Sequence, residues 1–136
     1  MMGTRINPLL TVKDIEKSVD FYEGQLGFKK NTVLKNDDGS LRYVDFIVGT
    51  SVIMLVPQNS RADDVQQSYK TNQLGVGVEL YIDIDEDIKT LFENLKAKGL
   101  SFIKDLYVTP WHTYQFHFKD PDGYIFIVSQ LATTLS

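Results

Sequence analysis

Two histidines are the most chemically versatile side chains in this chain. His112 and His117 are five residues apart, so on a straight strand they point to opposite faces and cannot share one metal ion. Phe116 and Phe118 alternate with Gln115 and His117, which predicts one apolar face and one polar face. His117 is therefore the leading polar site residue, and a surface or structurally hydrogen-bonded histidine is the competing interpretation.

Glu79 is the second candidate for acid–base chemistry. Glu79 and Tyr81 alternate with Leu80 and Ile82, so both are predicted on a face that does not pack under a helix. In dry surroundings that raise the carboxylate's pKa, Glu79 and His117 could act together as a general base pair. The chain has no cysteine, which excludes disulfides, thiolate catalysis and thiolate metal sites.

The elements that must position these side chains occur twice. An apolar run is followed by a helix that starts near Asp14 in one copy and near Glu86 in the other. Asp-Gly pairs in segments 36–39 and 120–123 indicate tight turns between later strands. We predict a βαβββ order in both copies, with strands at 6–12, 28–35, 41–48 and 52–56, and at 76–84, 102–108, 113–119 and 124–130.

The domain prediction is one domain over residues 1–136, with a first module at about 4–57 and a second at about 75–131. Residues 58–74 are polar and carry no clear pattern apart from a short helical stretch at 63–69. We interpret this segment as the linker between the modules, and a lid over a binding site is the alternative.

The predicted fold class is α+β, with two curled mixed sheets around a shared cup. Alternation along the strands predicts a largely apolar cup with a few polar groups, which is typical of small-molecule pockets. Trp111 could stack on a flat ligand, or it could cover one end of the barrel. The predicted ligand-binding residues are Asn7, Leu9, Met54, Tyr81, Trp111, Gln115 and Ile127.

Composition narrows the range of partners. The net charge is -4 and the basic residues are scattered, which argues against nucleic acid as a partner. No apolar run approaches the length of a membrane span, and the N-terminus lacks a secretory signal. The default expectation is a cytoplasmic protein that binds neither membrane nor nucleic acid.

Several motifs resemble the vicinal oxygen chelate superfamily, which includes glyoxalase I, bleomycin-resistance proteins and ring-cleaving dioxygenases. They are Phe21-Tyr22, Leu26-Gly27-Phe28, Asp120-Pro121-Asp122-Gly123 and the Thr109-Pro110-Trp111 segment before that turn. The resemblance covers essentially the whole chain and implies paired βαβββ modules around a cup. It also implies a homodimer.

In metal-dependent relatives of this kind, four cup-lining strands each supply one ligand. The resemblance places those positions on Asn7, Met54, Glu79 or Leu80, and Ile127. Asn7 is a weak neutral ligand, Met54 offers only a thioether and Ile127 offers no donor. The prediction is therefore that the chain has no metal site and no cofactor.

The leading hypothesis is a metal-independent binder of a small aromatic or hydrophobic molecule, of the bleomycin-resistance kind. The alternative is an enzyme of the superfamily: a lyase, isomerase or dioxygenase that uses a metal or uses Glu79 and His117. A third possibility is a binding module or scaffold partner whose cup is filled by its own side chains.

Overall fold

The computed structural model describes residues 5–60 and 74–132, which belong to two compact units, Met1–Leu74 and Gly75–Ser136. Each unit contains one four-stranded mixed sheet, and both follow the predicted βαβββ order. The α+β class predicted from the sequence is confirmed. The possible helix at 63–69 lies outside the described residues, and the single-domain boundaries stay a prediction.

The first unit has the strand order β1-β4-β3-β2, with β1 parallel to β4 and the other pairs antiparallel. Its elements are β1 Leu9–Val12, α1 Ile15–Val19, a π-helical segment Asp20–Gln25, β2 Lys29–Lys35, β3 Leu41–Val48, β4 Ser51–Pro57 and a 3-10 turn Gln58–Ser60.

The second unit has the corresponding order β5-β8-β7-β6, again with one parallel pair, β5 and β8. Its elements are β5 Glu79–Asp83, α2 Ile88–Ala97, β6 Lys104–Val108, β7 Thr113–Lys119 and β8 Ile125–Leu131.

The helix of the first unit departs from the regular α-helix predicted up to Gly27. Asp14 caps it as expected, because its carboxylate accepts the Lys17 backbone N–H at 3.1 Å. From Asp20 onward the helix widens into a π-helical turn, in which the Leu26 N–H reaches back to the Phe21 carbonyl. Gly27 then adopts a φ of 73° and ends the helix.

Helix α2 is held at its first turn by two devices. The Asp87 carboxylate accepts from the Lys89 N–H and the Thr90 hydroxyl. The buried Gln130 side chain of β8 accepts the Ile88 N–H at 3.0 Å and donates to the carbonyl of Glu86. Because these groups would otherwise be buried without partners, Gln130 fixes the start of the helix against the sheet.

Two strands start later than the apolar pattern predicts. The strand β1 starts at Leu9 instead of Ile6, since Pro8 has no N–H to donate and Ile6 is exposed. The strand β5 starts at Glu79 instead of Val76, because Gly75 and Gly77 both have φ of 77° and form a turn.

Aromatic side chains fill the space between each helix and its sheet. Tyr22 is fully buried and its ring lies 5.7 Å from that of Phe46 in the first unit. In the second unit Phe92 of α2 lies 5.5 Å from Phe116, as the alternation along β7 predicts. One face of each sheet is therefore committed to core packing, and the other face is free for polar groups.

None of the described helices is long and apolar enough to cross a bilayer.

Candidate functional site

Two rows of side chains cross the face of the second sheet that does not pack under α2. Strand register aligns one row across β5, β8, β7 and β6. A second row lies beside it, two residues away on β5, β8 and β7. The first row is Tyr81, Ile127, His117 and Lys104. The second row is Asp83, Ser129, Gln115 and Tyr107.

Hydrogen bonds join the two rows into one network. The Tyr81 hydroxyl donates to Ser129 Oγ at 3.0 Å, and Gln115 Nε2 donates to the Tyr81 oxygen at 2.5 Å. The Tyr107 hydroxyl donates to Gln115 Oε1 at 2.9 Å, and its oxygen lies 3.1 Å from His117 Nε2. Both polar ends of the Gln115 amide are therefore committed, which fixes the geometry of a polar network in the sheet face.

Exposure separates the atoms that a ligand can reach from those that support them. Gln115 is 3% exposed and Ser129 is 1% exposed, whereas Tyr81 is 52% exposed and His117 is partly buried. Ile127 lies between Tyr81 and His117 in the register. The accessible surface is thus an aromatic ring, an aliphatic side chain and an imidazole over a buried polar support.

The electrostatics around His117 favour its neutral form. Burial lowers the pKa of His117 below its usual value, the nearby Lys104 charge lowers it further, and Glu79 opposes both. The Lys104 ammonium lies 3.8 Å from the centre of the Tyr107 ring, in a cation–π contact. Glu79 is exposed at the start of β5, and no hydrogen bond joins it to His117, whose bonded partner is Tyr107.

A cavity of about 510 Å³ adjoins one end of the network. Its lining includes Asp83, Ser129 and Leu131, at the carboxyl ends of β5 and β8. This volume falls in the usual range for small-molecule sites. The network therefore ends, at Ser129, beside this open recess.

Trp111 lies outside this network, on the turn between β6 and β7. The turn is closed by Thr109 and Thr113, whose hydroxyl oxygens are 2.7 Å apart, and Trp111 is 63% exposed at its tip. His112 follows with a φ of 65°, a backbone conformation that few non-glycine residues adopt. The His112 carbonyl accepts from Ala132, directly after β8.

The corresponding face of the first sheet is more apolar. Leu9 and Met54 lie side by side in the register of β1 and β4. The Asn7 side chain extends this pairing, since its oxygen accepts the Val52 N–H at 3.0 Å. Asn7 therefore holds the entry to β1 in place.

Asp45 carries a negative charge into this face with only 6% exposure. Its carboxylate accepts from the Tyr43 hydroxyl at 2.6 Å and the Thr32 N–H at 2.9 Å. Burial and the Asp45 carboxylate together raise the pKa of Tyr43 to about 12. The face thus carries a buried carboxylate whose partners are the Tyr43 hydroxyl and the Thr32 backbone.

The internal repeat relates the two faces position by position. Leu9 pairs with Met54, which pairs with Asp45, and in the second unit Tyr81 pairs with Ile127, which pairs with His117. Asp45 therefore occupies in the first sheet the place that His117 occupies in the second.

A sequence model of the Glyoxalase/Bleomycin resistance protein/Dioxygenase superfamily matches residues 5–128. The chain belongs to this superfamily. Comparison with curated protein sequences gives no significant match.

Solved structures of the same fold cover nearly the whole chain. Lactoylglutathione lyase from Agrobacterium tumefaciens is 18% identical, with a TM-score of 0.70 over 96% of this chain and 95% of that one. TioX from Micromonospora sp. ML1 is 18% identical, with a TM-score of 0.69 over 93% and 95%. A superfamily member from Sphaerobacter thermophilus DSM 20745 is 26% identical, with a TM-score of 0.67 over 96% and 99%.

The four positions at which the family resemblance places metal ligands are Asn7, Met54, Glu79 or Leu80, and Ile127, and these side chains do not fit the donor set of a divalent ion. Asn7 uses its oxygen on the backbone of β4, Met54 offers a soft thioether and Ile127 has no donor atom. Glu79 alone supplies a carboxylate. Within residues 5–60 and 74–132, no group of three His, Asp or Glu side chains is arranged to hold an ion.

Sequence reasoning overlooked two parts of these faces. Tyr107 was not a candidate, because a register shift between Lys104 and Tyr107 changes the simple alternation along β6. Asp45 was also overlooked, although a carboxylate between Val44 and Phe46 is an available signal, since a charge inside an apolar strand needs a partner.

Proposed function

We propose that this protein binds a small aromatic or hydrophobic molecule on the polar face of its second sheet without the metal used by other superfamily members. The observation that carries the proposal is the hydrogen-bonded network of Tyr81, Gln115, Tyr107, His117 and Ser129. It provides fixed polar groups beside an exposed aromatic ring, which is what orients a small ligand.

The chemistry of the four family positions supports the metal-independent version. Three of them offer an engaged amide, a thioether and an aliphatic group, so a divalent ion would gain one carboxylate ligand at most. A ligand can instead be held by contact with Tyr81 and Ile127 and by a hydrogen bond to His117.

A titration with a panel of aromatic compounds tests the proposal. Calorimetry is performed on protein kept in EDTA, with wild type, Tyr81→Phe and Tyr114→Phe compared for any ligand found. Tyr81→Phe removes a hydroxyl from the network, and Tyr114→Phe makes the same change on the opposite face of the sheet, where Tyr114 contacts Lys89.

The expected result is saturable binding that Tyr81→Phe weakens severalfold, because Gln115 and Ser129 lose the hydroxyl that orients them, and that Tyr114→Phe leaves unchanged. Equal affinity in all three proteins would place the ligand elsewhere. No saturable ligand across a broad panel would count against the proposed function.

A second candidate is metal-free proton transfer by His117, with Glu79 as the second acid–base group. The lowered pKa of His117 favours it, because a neutral imidazole is available as a base at pH 7. Deuterium incorporation into an aryl ketone in D₂O, followed by NMR, measures this activity. Wild-type exchange rates in both His117→Ala and Glu79→Gln would exclude it.

Assembly and location follow from the family resemblance and the composition. We expect a homodimer in the cytoplasm, and sedimentation equilibrium of the full chain measures the first of these directly.

A further inference from the structure

The direction of the hydrogen bonds in the second sheet determines where the proton of His117 resides. Tyr107 has one hydroxyl proton, and it is donated to Gln115 Oε1. The contact between the Tyr107 oxygen and His117 Nε2 at 3.1 Å also needs one proton. Because Tyr107 has none left to give, Nε2 must carry that proton and donate it.

The same direction continues to the far end of the network. Gln115 donates to Tyr81, and Tyr81 donates to Ser129. Both tyrosine hydroxyl protons are therefore used inside the sheet face, and neither points toward a ligand. Among the described residues, no group is hydrogen bonded to His117 Nδ1, so this nitrogen offers a lone pair.

We infer that the polar face recognises its ligand through an N–H or O–H donor on the ligand, which His117 Nδ1 accepts while Nε2–H is held by Tyr107. The inference rests on the proposed function for the choice of face. The expected ligands are aromatic molecules with a hydrogen-bond donor on the ring, such as indoles or phenols, in preference to isosteres that carry only acceptors.

The charged groups near His117 fit this assignment. Lys104 and Tyr107 face it from β6, Tyr81 and Glu79 lie on β5, Lys119 follows on its own strand, and β8 contributes no titratable side chain. The Lys104 charge acts on His117, and its ammonium is directed at the Tyr107 ring.

Nitrogen-15 NMR of the histidine side chains tests the proton position without any ligand. At pH 8 the expected spectrum of His117 shows a protonated Nε2 and an unprotonated Nδ1, and Tyr107→Phe weakens this preference. A wild-type His117 with its proton on Nδ1 would mean that the network runs in the opposite direction, and it would overturn the inference.

Indole and benzofuran test the ligand class, because the two molecules have the same shape and differ in one ring N–H. Chemical-shift titrations are expected to show indole binding about 3- to 10-fold more tightly, as one net hydrogen bond predicts. His117→Phe should remove the difference, and Tyr114→Phe, on the opposite face of the sheet, should leave it. Equal or tighter binding of benzofuran to wild type would overturn the donor preference.

The two experiments distinguish the inference from the function it rests on. A His117 tautomer as expected, with no binding of either probe or of any panel compound, would count against the proposed function while the assigned proton position stands. Binding of the probes with the opposite tautomer would count against the inference alone.

Discussion

Tyr43 and the buried Asp45 form a part-buried acid–phenol pair whose effect on stability depends on pH. The pKa of Tyr43 is raised to about 12 in the folded protein, above the value of about 10 for an unfolded chain. The folded state therefore holds this proton more tightly, so the contribution is fully present below pH 10 and is lost as the pH rises through 10 to 12.

Tyr43→Phe should remove this contribution. Chemical denaturation of both proteins at pH 8, 10, 11 and 12 measures it. We expect the wild-type advantage in unfolding free energy to shrink across the last three pH values, and an advantage that stays constant up to pH 12 would refute the raised pKa.

His112 adopts a left-handed backbone at the tip of the β6–β7 turn, and the strain should be measurable. At this φ of 65°, glycine avoids a steric cost of about 1 kcal/mol that other residues bear. We expect His112→Gly to be more stable to urea than His112→Ala by about 1 kcal/mol. In a regular helix or strand the order is reversed, so a more stable alanine variant would show that the turn is not strained.

How far single residues can be predicted depends on whether their strand is regular. The alternation of Gln115 and His117 with Phe116 and Phe118 predicts both on the polar face. The prediction is reliable there because β7 pairs with β8 without interruption. Tyr107 was missed because β6 has an irregular register. The hydrogen-bond partners themselves depend on which strands are neighbours, and alternation along one strand does not contain that information.

At the scale of elements, the start of β5 depends on a close backbone approach. A Cβ placed on Gly75 would lie 2.5 Å from the Gly123 carbonyl carbon, in the turn before β8, whereas a Cβ on Gly77 would meet nothing within 4 Å. Both glycines have φ of 77°. Gly77→Ala therefore carries only the cost of a left-handed backbone, whereas Gly75→Ala adds a steric clash with the Gly123 backbone.

Urea unfolding of the two variants separates these contributions. We expect Gly77→Ala to lower the unfolding free energy by about 1 kcal/mol and Gly75→Ala by about 2 to 4 kcal/mol. Equal losses would mean that the turn before β5 does not pack against the turn before β8.

Element order was predictable, and element ends were less so. The Asp-Gly turns and the helix starts near Asp14 and Glu86 predict the order correctly, because turns and helix starts have local physical signatures. The π-helical turn from Asp20 was not predictable from spacing, since Val19, Tyr22 and Leu26 fit a regular helix equally well. Its widening accompanies the burial of Tyr22 against Phe46, a contact between distant parts of the chain.

The whole protein is expected to be indifferent to divalent metal ions. Since the four family positions supply one carboxylate, equimolar Zn²⁺, Ni²⁺ or Mn²⁺ should leave the thermal unfolding midpoint unchanged. An ion bound at a hundredfold excess over its dissociation constant would stabilise the fold by about 2.7 kcal/mol, which a melting curve detects. A clear rise with one ion would show that the chain assembles a site from other ligands.

The most direct test of the central claim is the affinity for an aromatic ligand measured twice by calorimetry, once in EDTA and once with added Zn²⁺ or Ni²⁺. We expect the same dissociation constant in both conditions. NMR spectra of the complex should show chemical-shift changes at Tyr81, Gln115 and His117. Binding that disappears in EDTA and returns with the metal would contradict the central claim.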